Sequence, residues 1–317
     1  MVQIGNKSRF GGHVAPVAIV GTGFTVMDRI YVEPESTRQE ALGGSCGNVL
    51  ISLAMLHHEV APVLALGLDE IGNRLVEEFA VAGATTTYIR RSPALRSPVL
   101  AQHLDTRLGR HSFTFTCPET HEELPRYQPI DRSDLDDARP LLTNCTIFYT
   151  DRISDAIVEA METAASSGAI VFFEPSDVSD SELFARAAAA AAIMKFSADR
   201  LDGNGDLAGV SQDAVVIVTH GEAGLEVRRG SDRRWCAPYP APAVRDTCGS
   251  GDMVSVGLID WLVASRTGHG AGPDVADVLK GVMAGQRLAA ENCAFEGARG
   301  LFKACGASYA RRVLTEG

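Results

Sequence analysis

Hydrophobic positions along the chain fall into two alternating rhythms. Short apolar runs recur at Val17–Val20, Val63–Gly67, Thr146–Thr150, Ala169–Phe173, Ile193–Phe196 and Ala214–Thr219, each of a length that suits a buried strand. Between them, apolar residues return at helical spacing: Val49, Leu53 and Leu56, then Leu75, Val76 and Phe79, then a polar helix from Ile130 to Leu142 and another from Asp155 to Ser166. The alanine-rich stretch Ala185–Ala192 predicts a tightly packed helix, given alanine's propensity. Val254, Leu258, Trp261 and Leu262 mark a further helix, apolar enough to be mostly buried. Strands alternating with helices predict an α/β fold with a mostly parallel central sheet wrapped on both sides by helices. The rhythm breaks in two places. Val26–Val32 alternates like a strand, and Val99–Leu104 and His111–Thr116 read as two strands joined by a loop containing Gly109. Together these predict a small β-sheet separate from the main one.

Composition narrows the classes. The 317 residues can bury a large core, and 45% hydrophobic with 22% charged residues is ordinary for a globular chain and excludes disorder. A formal net charge of −11 argues against nucleic acid or a membrane surface as partner, since both need a basic face. Seven cysteines without a C-x-x-C pair make neither a disulfide framework nor a zinc site, and read as reduced thiols of a cytoplasmic protein. No run of 18 apolar residues occurs, and residues 1–14, with three glycines, read as a loose tail ahead of a domain spanning 15–317.

The candidate chemistry centres on Asp246-Thr247-Cys248-Gly249-Ser250-Gly251-Asp252, at the mouth of the buried helix. Two glycines flanking a serine let the chain turn sharply and present bare backbone N–H groups, which attract anions. Asp252 falls in the first turn, beside that anion site. A carboxylate next to a phosphate site is repelled unless a proton moves or a metal intervenes. Phosphoryl transfer supplies such a reason: Gly249, Ser250 and Gly251 would hold the developing charge and Asp252 would take the proton of an attacking hydroxyl. On spacing alone, an ordinary helix with Asp252 favourably placed on its dipole fits as well. Upstream, Gly21-Thr22-Gly23 lacks the third glycine of a dinucleotide fingerprint and leads into a strand rather than a helix, so that reading is rejected. Asp28 on that strand suits two neighbouring hydroxyls, because an ionised carboxylate accepts from both. Leu42-Gly43-Gly44-Ser45-Cys46-Gly47-Asn48 is a glycine turn delivering a helix with Asn48 near its start. Thr219, Gly221 and Gly224 form a T-x-G-x-x-G turn that suits nucleotide phosphates, with a plain hairpin turn as its rival. His57-His58-Glu59 reads as a solvated helix end, since adjacent helical histidines diverge by about 100°.

Asp246–Asp252 resembles the D-T-x-G-A-G-D signature of the ribokinase-like (PfkB) kinases, with Ser250 in place of the usual alanine. Gly43, Gly44 and Asn48 resemble the family's G-G-x-x-x-N, and Thr219–Gly224 its nucleotide loop. The resemblance implies ATP and Mg²⁺ as cofactors, Asp252 as catalytic base, Asp28, Gly43, Gly44 and Asn48 as the acceptor's grip, and a K⁺ or other monovalent cation beside Asp246. It implies that the small sheet, from residues 22–42 and 97–117, is a lid inserted in the kinase domain, through which a homodimer can form. Ala289–Cys293, with Asn292, and Gly297-Ala298 resemble segments that border adenine. The pattern departs at Lys195–Arg200, where the family has N-x-x-E and this chain puts Ser197 and Arg200. A cation cannot coordinate a cation, so Mg²⁺ ligation stays open between Asp199 and Glu174, the latter equally suited to cap a helix. The expected reaction is phosphorylation of a hydroxymethyl group on a sugar or sugar acid. The alternatives are a nucleoside kinase using Phe113 or Phe115 for stacking, a phosphosugar kinase using Arg38, Arg107 or Arg110, and a non-catalytic regulator that keeps only the pocket. His103, Arg107, Arg110 and His111 on the lid favour an anionic acceptor over a neutral base.

Overall fold

The computed structural model describes residues 17–33, 37–105, 110–176, 179–200, 210–265 and 272–316. The N-terminal tail, the loop glycine Gly109 and Arg107 lie outside these residues, as do the side chains of Arg38, Arg110, His111 and Arg200. In chain order the elements are β1 (Ile19–Thr22), β2 (Val26–Glu33), β3 (Thr37–Gly43), α1 (Ser45–Met55), β4 (Val60–Pro62), β5 (Leu64–Gly67), α2 (Glu70–Val81), β6 (Ile89–Ser92), β7 (Val99–Asp105) and β8 (Arg110–Thr114). There follow α3 (Arg132–Leu142), β9 (Ile147–Thr150), α4 (Asp155–Ser166), β10 (Ile170–Phe173), α5 (Ser181–Ala190), β11 (Ile193–Ser197), β12 (Val215–Thr219), β13 (Leu225–Arg229), β14 (Asp232–Cys236), α6 (Ser250–Ala264), α7 (Val275–Asn292) and α8 (Gly300–Thr315).

The main sheet has the order β14-β13-β12-β11-β10-β9-β1-β4. Neighbours from β4 to β12 pair in parallel, and β13 and β14 close one edge as an antiparallel hairpin. Because side chains alternate along a strand, one sheet feeds two cores. Ile19, Ile147, Tyr149, Phe172 and Ile217 enter one, with residues of α1, α6, α7 and α8; Val20, Phe148, Val171, Phe173 and Val218 enter the other, with residues of α3, α4 and α5. Strands buried on both faces explain the near-continuous apolar runs of the sequence. Helix α4 begins after Ser154, whose side chain accepts from the Ile157 N–H, and α3 after Asp131, whose side chain accepts from the N–H groups of Ser133 and Asp134.

The small sheet is separate, with order β3-β2-β7-β8; β2 and β7 run parallel and the outer pairs antiparallel. The strand expected at Val63–Gly67 forms over Leu64–Gly67 and pairs with β6, outside the main sheet, whose edge strand β4 ends at Pro62, where a missing N–H is tolerated. The pattern also left unmarked the hairpin β13–β14 and helices α7 and α8. Arginines and a glutamate alternate along the hairpin, which dulls the apolar signal as expected of an edge. No described helix is long and apolar enough to cross a membrane. All seven cysteines are unbonded thiols.

Candidate active site

Between the main and small sheets lies a cleft of about 1090 Å³, at the upper end of what a single small-molecule site needs. Its floor is the start of α6. Gly249 caps that helix with φ 73°, a backbone state open to glycine without strain, and a side chain there would lie 2.5 Å from Ala298 Cβ. Thr247 to Asp252 all line the cleft. Asp252 is 9% exposed, and its Oδ2 accepts from Asn48 Nδ2 at 2.8 Å. Burial raises the Asp252 carboxyl from 3.8 to about 7; Glu174 pushes the same way, and the Asn48 hydrogen bond and Lys195 partly offset it. A carboxylate poised near neutrality is what proton abstraction at physiological pH requires.

Asn48 arrives on α1, directly after the Gly43-Gly44 turn that ends β3, and Asp28 arrives on β2, paired with Ala41 of β3 and Leu100 of β7. The two strands press together so closely that a Cβ on Gly43 would lie 1.8 Å from Asp28 Oδ2. Asp28 is buried, its Oδ1 makes no hydrogen bond with the described residues, and burial raises its carboxyl to about 7, with Arg299 opposing and Asp252 adding to the rise. Asp28, Gly44 and Asn48 line the cleft; Gly43 stands behind Asp28.

At the other end, Ser197 ends β11 with Ala198 and Asp199 after it, and Thr219 ends β12 with His220 to Ala223 after it, all on the cleft wall. Thr219 Oγ1 donates to the Phe196 carbonyl at 3.4 Å, and His220 N–H donates to the Gly224 carbonyl at 2.8 Å, closing the turn before β13. Gly224 completes this turn without lining the cleft.

Asn292 and Asp246 lie behind the anion loop. Asn292 is fully buried; its Oδ1 accepts from Leu301 N–H at 3.0 Å and its Nδ2 donates to the Ala298 carbonyl at 3.2 Å. Asp246 Oδ1 accepts from Cys248 N–H and Oδ2 from Gly297 N–H, each at 2.8 Å. Both brace the backbone that carries the anion loop. The Cys248 thiol is pushed well up by burial, as suits a packed thiol and not a reactive one.

Glu174 caps no helix; α5 is capped by Asp180. Glu174 is instead half of a buried ion pair, its Oε2 2.7 Å from Lys195 Nζ and its Oε1 accepting from the Ser255 hydroxyl. Lys195 escaped the sequence reading, although a lone lysine inside the apolar strand Ile193–Ser197 implies a buried partner. Asp151 and Arg152 were missed too. Asp151 Oδ1 accepts from Phe24 N–H at 2.7 Å, and the Arg152 guanidinium lies 4.5 Å over the Phe24 ring, both lining the cleft. They directly follow strand β9 and carry no local motif. Phe24, Leu100, Phe113 and Phe115 give the small-sheet end of the cleft an apolar wall, whereas His103 stacks on Tyr31 with ring centroids 5.4 Å apart, away from the cleft.

The profile of the pfkB family carbohydrate kinases matches residues 18–299. The aminoimidazole riboside kinase of Salmonella typhimurium is 28% identical over 251 residues, 73% of this chain and 76% of that protein. Among solved structures, the chain superposes on a fructokinase with bound ATP from Xylella fastidiosa with a TM-score of 0.77 at 20% identity, over 95% of this chain and 99% of that one. It superposes on the ribokinase of Giardia lamblia with a TM-score of 0.76 at 14% identity, over 95% and 98%. A family match that runs from the first strand of the main sheet to the segment behind the anion loop leaves one conclusion: the chain belongs to the pfkB carbohydrate kinases, phosphotransferases that use an alcohol group as acceptor.

Proposed function

We propose that this kinase transfers the γ-phosphoryl group of ATP to a hydroxymethyl group of a sugar or sugar acid, with Asp252 as general base. The observation that carries the reading is the position of Asp252: buried in the first turn of α6, bonded to Asn48 on the acceptor side, and in one cleft with the Thr219–Ala223 turn. Asp28 and Asn48 hold the acceptor hydroxyls. Asp252 takes the proton as the hydroxyl oxygen attacks phosphorus, and the N–H groups at Gly249–Gly251 receive the charge on the transferred group. Ser197, Thr219 and Gly221 line the nucleotide end, with Gly224 shaping the turn. Asn292 serves the nucleotide site indirectly, by bracing the loop behind it.

Among the described residues the cleft is acidic: six carboxylates line it, Asp28, Asp151, Glu174, Asp199, Glu222 and Asp252, against one guanidinium, Arg152. A polyphosphate enters such a site only with its own cations. That supports Mg²⁺, which kinases hold on phosphate oxygens with one or two carboxylates, and Asp199 on the cleft wall is the residue for it; no described cluster of three or more acids, histidines or cysteines forms a protein cage. Bound there, Mg²⁺ would neutralise phosphate charge. Glu174 acts from below through Lys195. The buried Asp246 and the backbone around Gly297 are the place for K⁺.

Since the base works deprotonated and its carboxyl titrates at about 7, kcat rises with pH through that value and levels above it. A profile flat from pH 5 to 9 would remove Asp252 from the proton transfer. ATP consumption over a panel of sugars, sugar acids and nucleosides tests the acceptor. Asp28→Ala raises the acceptor KM and leaves the ATP KM unchanged; the reverse would turn the two ends of the cleft around.

The wall of Phe24, Leu100, Phe113 and Phe115 favours a second reading, a nucleoside or related riboside, which the similarity to a riboside kinase supports. The two readings separate at Phe115, which lies under Arg126 at 4.7 Å. For a sugar, Phe115→Ala changes the acceptor KM by less than about tenfold. For a base that stacks on the ring, loss of about 1–3 kcal/mol corresponds to a rise of roughly 5- to 150-fold.

A further inference from the structure

Leu42, the residue before the Gly43-Gly44 turn, has its peptide groups gripped on both sides. Its N–H donates to Glu78 Oε1 at 2.9 Å, and its carbonyl accepts from Arg299 Nη2 at 2.8 Å. Glu78 on α2 and Arg299, just ahead of α8, are themselves joined at 3.3 Å. Arg299 is only 5% exposed. Burying a guanidinium costs several kcal/mol unless its charge is answered, so a purely structural clamp at this place would be better made of uncharged groups. Two further observations say what the charge is for, the first at a small cavity that Asp28 and Arg299 both line. Asp28 Oδ1 and Arg299 Nη1 are both buried without a hydrogen-bond partner among the described residues, and the two charges act on each other. Arg299 also continues the segment whose Ala298 packs on Gly249 and whose Gly297 N–H holds Asp246.

We infer that Arg299, braced by Glu78, is a positioning residue for the acceptor: it is the counter-charge that keeps Asp28 ready to accept from hydroxyls, and it locks the Gly43-Gly44 turn to the anion loop. Acceptor grip and phosphoryl site are thereby set by one segment, Gly297–Arg299. The inference rests on the reading of Asp28 as the acceptor's grip.

The charges around Asp28 pull in both directions. Arg299 and, more weakly, Lys303 of α8 favour its ionised form; Asp252 of α6 and Glu78 of α2 oppose it, burial opposes it most, and the Cys248 thiol of the anion loop also faces it. The balance leaves the carboxyl at about 7. Without the guanidinium it titrates higher, and at neutral pH Asp28 is protonated and loses one acceptor site.

The test uses the full chain with ¹³C-labelled aspartate carboxyls, the Asp28 signal being assigned by its loss in Asp28→Asn. In wild type that signal titrates near 7. In Arg299→Met it moves to higher pH, and the acceptor KM at pH 7, measured with the best acceptor of the panel, rises about tenfold and recovers as pH increases. Arg299→Lys keeps a charge but not the guanidinium whose Nη2 reaches both Leu42 and Glu78 and leaves Nη1 over; its Asp28 signal stays near the wild-type position while KM rises equally at every pH. An unshifted Asp28 titration in Arg299→Met overturns the inference, as does an acceptor KM that depends on pH no differently from wild type. Should Arg299→Met not fold, an Asp28 titration in Arg299→Lys displaced by more than one pH unit overturns it. Asp28→Ala is the control: if it leaves the acceptor KM unchanged, the reading of Asp28 itself has failed, whatever Arg299 does.

Discussion

Asp252→Asn lowers kcat by about 10²–10⁴-fold, the usual contribution of a placed general base, while ATP still binds. The asparagine keeps the shape, and its carbonyl oxygen still accepts from Asn48, so the loss is that of the proton acceptor and not of the loop. The same change stabilises the fold at alkaline pH. Because burial raises the carboxyl from 3.8 to about 7, the folded chain binds the proton more tightly than the unfolded chain, and stability falls as pH rises through that window. Above pH 7 the ionised, buried Asp252 costs on the order of a few kcal/mol, which the amide does not. A variant that is nearly inactive yet melts higher than wild type at pH 8, with the difference vanishing toward pH 4, is the expected result. Near-wild-type turnover would exclude Asp252 as base, and a lower Tm at pH 8 would contradict the cost assigned to its burial. Trading stability for a poised group is common at active sites.

Lys195→Met has the largest effect on stability. It strands the Glu174 carboxylate in a buried site where the ammonium at 2.7 Å is its partner and the Ser255 hydroxyl is the other group bonded to it. Removing one member of a buried ion pair costs about 3–5 kcal/mol, because the remaining charge stays desolvated. The effect reaches the chemistry as well: Lys195 Nζ would lie 3.7 Å from a Cβ on Gly251 and its charge favours the ionised form of Asp252, so the rise of kcat with pH moves to higher pH. Glu174→Gln in the Lys195→Met background recovers a large part of the lost stability, since the stranded charge is gone. Denaturant unfolding of wild type, Lys195→Met, Glu174→Gln and the double variant closes the cycle that measures this coupling. Equal stability of Lys195→Met and the double variant would show that the stranded carboxylate costs nothing.

These two positions also mark the limit of what a sequence carries. The parallel sheet was legible because strands buried on both faces must be apolar throughout: Ile147–Thr150, Ile170–Phe173 and Val215–Thr219 declare themselves by composition alone. The turn into α6 was legible because a sharp turn into a buried helix demands glycine, and Gly249 with φ 73° meets that demand. Asp252, Asn48 and Asp28 could be singled out as polar residues at the mouths of apolar elements. What stayed hidden depends on register and distance. Asp252 and Asn48 are 204 residues apart in the chain and share a hydrogen bond, and Arg299 reaches the Leu42 carbonyl across 257. Glu174 and Lys195 meet because β10 and β11 lie side by side, a neighbourhood set by the strand order and not by any local pattern. Of the small-sheet cations expected to meet an anionic acceptor, His103 illustrates the same point, since it alternates to the face that stacks on Tyr31, while Phe113 and Phe115, two apart, line the cleft; Arg107 and the side chains of Arg110 and His111 lie outside the described residues. Local composition determined which elements form and where the chain can turn. Tertiary packing alone decided which carboxylates are buried beside one another, and hence that Asp252 and Asp28 titrate near neutrality, since desolvation and neighbouring charge are properties of the assembled cleft.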